Sequence, residues 1–235
     1  MRPQNPRRTF IRQVALGTVA VAVPLAGCGG SDSAPPNAVK FSHGVASGDP
    51  LAGSLVIWTR ATPEQAGTLE MSWEVASDSA FTQIVKSGTL STDASRDYTA
   101  KVDVGGLAAN TVYYYRFAYA GVRSPVGRGK TLPTGNVAQV KLAVFSCSNF
   151  PAGYFNVYAD AASLDDVDAA LHLGDYIYEY DKDGYASQQA AALGRVSEPA
   201  NEILTLADYR KRHAQYKTDP NLQAAHASAP WLLTR

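Results

Sequence analysis

Cys147, Asp175 and Tyr178 are the residues of this 235-residue chain whose types and spacing could do chemistry. A thiol, a carboxylate and a phenol each ionise to an anionic ligand. Thiolate and phenolate suit a ferric ion, and carboxylates suit a harder cation such as calcium. The spacing Gly174-Asp175-x-x-Tyr178 has physical content of its own. A carboxylate at a strand end can bridge two cations, and a Tyr three residues on can turn its hydroxyl toward the same centre. Taken singly, each residue has a plainer reading: Asp175 a turn or helix cap, Tyr178 a packed aromatic, Cys147 a buried small hydrophobe. His172 reads as a core histidine.

What joins the three is where the elements put them. Lys141–Ser146 has the texture of a buried strand and ends at Cys147-Ser-Asn149; a helix-like stretch runs through Ala162. Asp166–Leu173 is a second strand, ending at Gly174-Asp175-Tyr176. Strand, helix and strand in succession imply a parallel α/β unit. Ligands in such sheets gather beyond the carboxyl ends of the strands, where Cys147 and Asp175 both fall.

Upstream, from about Val39 to Thr134, short alternating runs follow one another. Ser54–Arg60, Leu69–Val75, Gln83–Leu90 and Tyr98–Val104 are rich in β-branched and aromatic residues, with turn residues between them. Strands at such spacing predict an all-β sandwich. Leu107, Thr111 and Tyr113, placed before an aromatic strand, resemble the tyrosine corner of Ig and fibronectin type III domains, whose Tyr hydroxyl bonds back to the chain just upstream. Alternation puts Tyr113, Tyr115 and Phe117 on one face and Tyr114 and Arg116 on the other. In Phe41-Ser-His43-Gly-Val-Ala-Ser47-Gly-Asp49-Pro50, the last three residues make a turn. His43 and Asp49 could be ligands but need not be.

Composition bounds the rest. Hydrophobic residues make up 46% and charged residues 18%, so the material is globular. Basic and acidic residues number 21 each. No long-range field draws the chain to nucleic acid, and no nucleic-acid-binding signature is present. Any handling of phosphate must therefore be local.

Residues 1–38 read as an address and a linker. Arg7 and Arg8 lie in Arg-Arg-x-Phe-Ile-Arg, followed by an apolar run from Val14 to Ala26 that is shorter than the roughly 20 residues of a spanning helix. The arginine pair resembles a twin-arginine signal, which implies the twin-arginine export machinery as a partner. Leu25-Ala-Gly-Cys28 resembles a bacterial lipobox, which implies lipidation of Cys28 and a membrane contact through that anchor. The expected location is periplasmic or at the cell surface. Ser31–Asn37 reads as a tether.

Toward the other end, Leu204–Lys217 predicts a helix capped by Thr205, and Asp219-Pro220 starts another. The basic run Arg210-Lys-Arg-His213 could be a phosphate-binding face, although a solvated helix surface is the plainer reading. Ala229–Arg235 reads as the start of a further strand.

Three strings carry a wider resemblance. Phe-Ser-His-Gly-Val-Ala-Ser-Gly-Asp-Pro, followed by Leu-Val-Ile-Trp-Thr-Arg, is similar to the opening of the alkaline phosphatase D family. Phe-Ser-Cys147-Ser-Asn and Leu-His-Leu-Gly-Asp175-Tyr-Ile-Tyr178-Glu are similar to its first two metal motifs. The resemblance implies a fibronectin-III-like domain over 39–135, followed over 140–235 by an incomplete α/β metallophosphoesterase domain of α/β/β/α sandwich type. It implies iron(III) at Cys147 and Tyr178, with Asp175 bridging to calcium, and hydrolysis of phosphate monoesters or diesters in phosphate scavenging. The family's later acidic and histidine motifs have no match among His43, His172, His213 and His226. The chain by itself is therefore expected to be an incomplete, inactive fragment. The competing expectation is an anchored extracytoplasmic binding module with a vestigial phosphatase domain.

Overall fold

The computed structural model describes residues 38–234. The export and lipidation readings at Arg7, Arg8 and Cys28, and the tether up to Asn37, lie outside the described residues.

The described chain is mostly β-structure with few helices. A short ribbon pairs β1 (Val39–Lys40) with β4 (Thr62–Pro63). The remaining strands of the first part are β2 (Val45–Gly48), β3 (Ser54–Arg60), β5 (Leu69–Ala76), β6 (Ile84–Thr92), β7 (Thr99–Gly105), β8 (Val112–Tyr119), β9 (Val122–Arg123) and β10 (Gly127–Lys130). One sheet runs β10-β8-β5-β6, with β9 on β8, and is antiparallel throughout. In the other sheet, β3 lies between β2 and β7, again antiparallel.

Alternation explains why these sheets meet face to face. Every second residue of β3 is buried, which turns Leu55 and Ile57 inward. They meet Leu69, Met71 and Val75 of β5 and Tyr113, Tyr115 and Phe117 of β8 in one core. Each such side chain stabilises the fold by about 1.5–3 kcal/mol through burial. The bond expected from the Leu-Thr-Tyr spacing is present, with Ala108 N donating to the Tyr113 hydroxyl at 2.9 Å. Thr131 Oγ1 donates to Ala108 O at 2.7 Å and ties the same corner to the strand that follows.

The second part adds three strands to one edge of the second sheet: β11 (Leu142–Phe145), β12 (Ala169–His172) and β13 (Pro230–Leu233). The full order is β11-β12-β13-β2-β3-β7. β11, β12 and β13 are parallel neighbours, and β13 runs parallel to β2, with Pro230 opposite Ser47 and Trp231 opposite Gly48. Gly48 is required at this join, since a Cβ there would lie 2.9 Å from the Trp231 carbonyl oxygen. The connections run through α1 (Asn156–Ala162), between β11 and β12, and through α2 (Leu206–Tyr216) and α3 (Pro220–Ser228), before β13. Thr205 and Asp208 form a reciprocal capping box on α2, and Asp219 caps α3 ahead of Pro220, as the sequence predicts.

These helices cover one face of the parallel strands with an aromatic core that includes Phe145, Phe155, Tyr158, Tyr176, Tyr216 and Trp231. The expectation that Lys141–Ser146 is a buried strand needs correction. β11 lies at the sheet edge, and Leu142 and Val144 are 49% and 53% exposed. Their face, which continues through Leu171 into Leu232 on β13, stays about half exposed.

Candidate metal site at the strand ends

Phe145 and His172 are register partners, so β11 and β12 end side by side and their following residues leave the sheet together. Backbone bonds extend this pairing into the loops. Leu173 N donates to Phe145 O at 2.8 Å, Cys147 N to Gly174 O at 3.2 Å, and Ser148 N to Asp175 O at 2.9 Å. Cys147 and Asp175 both adopt left-handed backbone, with φ of 60° and 53°. That region costs a residue with a Cβ about 1–2 kcal/mol. Strained backbone of this kind clusters at sites where a side chain must be aimed.

The aim is mutual. Cys147 Sγ lies 3.8 Å from Asp175 Oδ2, and the Tyr178 hydroxyl donates to the same oxygen at 3.1 Å. All three residues expected from the sequence are therefore brought together on one carboxylate oxygen. Burial, then hydrogen bonding to Cys147 and Asp175, pushes the Tyr178 phenol up, so that it stays protonated beside the two other groups. No Lys or Arg pairs with Asp175 among the described residues. Three groups able to ionise to anions thus face one point that no protein cation neutralises.

The donor set fits a cation. A thiol, a carboxylate and a phenol within reach of one another offer sulfur and oxygen ligands of the type that hold a highly charged ion. They form only part of a coordination shell. Among the described residues no cluster of three or more His, Cys, Asp and Glu is present.

The support beneath is buried. Ser148 is buried, and its hydroxyl bonds the Tyr158 hydroxyl and, at 2.8 Å, His172 Nε2. His172 is fully buried, and burial pulls its imidazole down, so it packs as the neutral core histidine that the sequence predicts. Burial likewise raises the Tyr158 phenol.

Sequence reasoning missed Arg212. The basic run on α2 is not one solvated face. Arg210 Nη2 bonds Ser95 O at 2.7 Å, while Lys211 stands outside, 3.4 Å from Glu198. Arg212 is 1% exposed and spends its guanidinium on main-chain carbonyls: Tyr178 O, Tyr180 O at 3.1 Å, Glu198 O at 2.9 Å and Pro199 O at 3.1 Å. It thereby fixes the backbone that carries Tyr178. A signal was available, because Arg212 lies three residues after Tyr209 and four before Tyr216, in the middle of an aromatic helical stripe. His43 and Asp49 do not join the site. His43 lies against Arg60, with Nη1 3.2 Å from Nε2, and Asp49 is an exposed turn residue with φ of 43°.

Comparison with known proteins points to one family over most of the chain. Residues 27–133 match the family described as PhoD-like phosphatase, N-terminal domain, and residues 142–235 match PhoD-like phosphatase. The chain is 44% identical over 204 residues to alkaline phosphatase D of Bacillus subtilis (strain 168), covering 83% of this chain and 34% of that protein. A solved structure described as that of PhoD superposes with a TM-score of 0.77 at 43% identity, over 86% of this chain and 39% of that one. The chain therefore spans about a third of the length of the curated relative it matches.

Proposed function

The chain belongs to the PhoD-like phosphatase family, and from that premise we propose that Cys147, Asp175 and Tyr178 are part of the metal centre of a phosphate-ester hydrolase. The observation that carries this reading is the convergence of a thiol and a phenol on one carboxylate oxygen that no protein cation neutralises. Cys147 Sγ and Tyr178 Oη would hold iron(III), with Asp175 bridging to calcium. Bound there, the two cations would supply charge neutralisation for a phosphoryl group and a more acidic water.

The chain's own residues have defined tasks in this reading. With iron bound, Tyr178 would release to water the proton that it now donates to Asp175 Oδ2. Cys147 would likewise lose its thiol proton to water, and the left-handed backbone at Cys147 and Asp175 keeps both side chains aimed at one point. Arg212 holds the Tyr178 carbonyl. Substrates are phosphate monoesters or diesters. The three donors among the described residues leave the shell open, and the 235-residue chain alone is expected to turn over negligible substrate. In the same reading β2–β10 are a fibronectin-III-like domain over 39–135 and β11–β13 begin an α/β/β/α phosphatase domain over 140–235. Export through Arg7 and Arg8 and anchoring at Cys28 belong to this proposal as well.

Ferric titration followed by visible absorption tests the assignment. A phenolate- and thiolate-to-iron charge-transfer band is expected, with Tyr178→Phe and Cys147→Ser each removing a distinct component. A spectrum unchanged in both variants would overturn the ligand set. An aryl phosphate assay with iron and calcium supplied should stay at background, and robust turnover abolished by Cys147→Ala would show that the described donors suffice.

A further inference from the structure

The Phe41–Pro50 string and the basic run on α2 are not used by the metal site, and the fold brings them together. A cleft of about 950 Å³ opens between β3 and β7 on one side and α2 on the other. Cys147, Asp175 and Tyr178 do not line it. Five cationic side chains do: Arg60, Arg96, Lys101, Arg210 and Lys217. Against them stands one carboxylate, Asp97, already taken by Arg60 through two bonds of 3.0 and 2.8 Å. In a chain with no net charge this is a marked local excess of positive charge.

At its base lies Lys217. Its ammonium makes no hydrogen bond or ion pair among the described residues, and sits 5.2 Å from the centre of the Trp58 ring and 5.9 Å from that of Tyr176. A half-buried ammonium against two aromatic rings, with no carboxylate paired to it among the described residues, lacks the partner that would offset its lost hydration. The turn that brings His43 to this place is built. Gly44 adopts φ of 66°, and Gln223 Nε2 bridges Ser42 O at 2.9 Å and Lys217 O at 2.7 Å. The first string and the Lys217 end of α2 are thus clamped to each other.

We propose that this cleft is a second, metal-independent binding site for a phosphate-type dianion, free or carried on a small organic group, with Lys217 as its central contact and Trp58 as its apolar floor. A compact, strongly charged anion matches a lone ammonium better than a planar carboxylate does, since Arg60, the fork-shaped donor there, is committed to Asp97. The inference does not rest on the metal reading.

Binding at this site is coupled to protons. The groups facing Lys217 are His43 from the turn before β2, Arg60 from β3, Tyr176 after β12, His213 from α2 and His226 from α3, with Asp97 behind Arg60. Burial and then the Arg60 charge hold His43 at about 4, and burial holds His226 well below its ordinary value. Burial alone lowers Lys217 to about 7. A bound dianion reverses this balance, so above neutrality, where a phosphate-type ligand is already doubly charged, Lys217 takes up a proton on binding and affinity falls as the pH rises further.

Calorimetry on the chelator-treated 235-residue chain tests this, using inorganic phosphate and phenylphosphonate in two buffers of different ionisation heat. The expected results are net proton uptake near pH 8.5, tighter binding near pH 7.5 than near pH 9, and about tenfold weaker binding in Lys217→Met. Quenching of Trp58 by phenylphosphonate alone would identify an organic phosphate as the better occupant, and equal binding of both would identify the free anion. No binding, or binding without proton uptake that survives Lys217→Met, would overturn the proposal. If circular dichroism shows that Lys217→Met has not folded, Lys101→Gln at the exposed mouth takes its place. It should weaken binding severalfold, and proton uptake by the unsubstituted chain still decides.

Discussion

The strands from β2 to β10 and the strands β11 to β13 share a sheet but are built differently. The first group closes on itself: two antiparallel sheets face each other, and Leu55, Ile57, Met71, Tyr115 and Phe117 are sealed between them. The second group is covered on one face only, by an aromatic layer beneath α1 and α3, and leaves Leu142, Val144 and Leu232 open on the other. Left-handed backbone occurs in both groups, but at the second group's strand ends it carries two of the three acid groups that meet there, Cys147 and Asp175. The closed region carries packing energy, and the half-covered region carries the arrangement that only a ligand would relax.

The largest effect should come from emptying the closed core. Phe117→Ala is expected to cost about 3–5 kcal/mol, while Val144→Ala, on the open face, should stay within about 0.5 kcal/mol. Urea denaturation monitored by fluorescence measures both, and similar costs would erase the contrast. Next comes Arg212→Met, which strips four carbonyls of a buried donor and should cost about 2–3 kcal/mol. Hydrogen exchange should then rise over residues 178–199 while β3 and β8 keep their protection. Uniform loosening would mean that Arg212 serves the whole fold instead of the site.

A smaller effect is expected from pH. Burial holds Lys217 at about 7, below the ordinary lysine range. Above pH 7 the unfolded chain keeps a proton here that the folded chain has lost, so stability rises with pH from about 7 toward 10. Lys217→Met should flatten that rise in denaturation curves taken across the window. The smallest change is Tyr113→Phe, which removes a single corner bond at about 1 kcal/mol. It should lower the melting temperature without altering ferric absorption, because it touches only the closed region.

Local patterns were legible where a local cause fixes them. The alternation of Ser54–Arg60 became β3 residue for residue, the Leu-Thr-Tyr spacing became the bond at Ala108, and Thr205 and Asp219 became caps. The meeting of Cys147, Asp175 and Tyr178 was legible because two strand ends and a three-residue step place them. Partners distant in sequence were not. Nothing in Val45–Gly48 announces that Trp231 will lie beside Gly48, and an apolar run reads the same whether both its faces are covered or one. Arg212 was hidden among charged neighbours, since its two acceptor segments, at Tyr178–Tyr180 and Glu198–Pro199, come from a long irregular stretch without periodicity. The cleft at Lys217 needs Trp58, His43 and α2 together, which no single window contains.

The join between β13 and β2 has a consequence for grafting. The segments matching the two family descriptions meet in main-chain pairing at Pro230–Ser47 and Trp231–Gly48, with no room for a larger residue at Gly48. A chimera taking residues 39–135 from another member would have to bring a strand that offers glycine opposite this tryptophan. The portable unit for recombination is therefore set by this seam as much as by the linear boundary between the two segments.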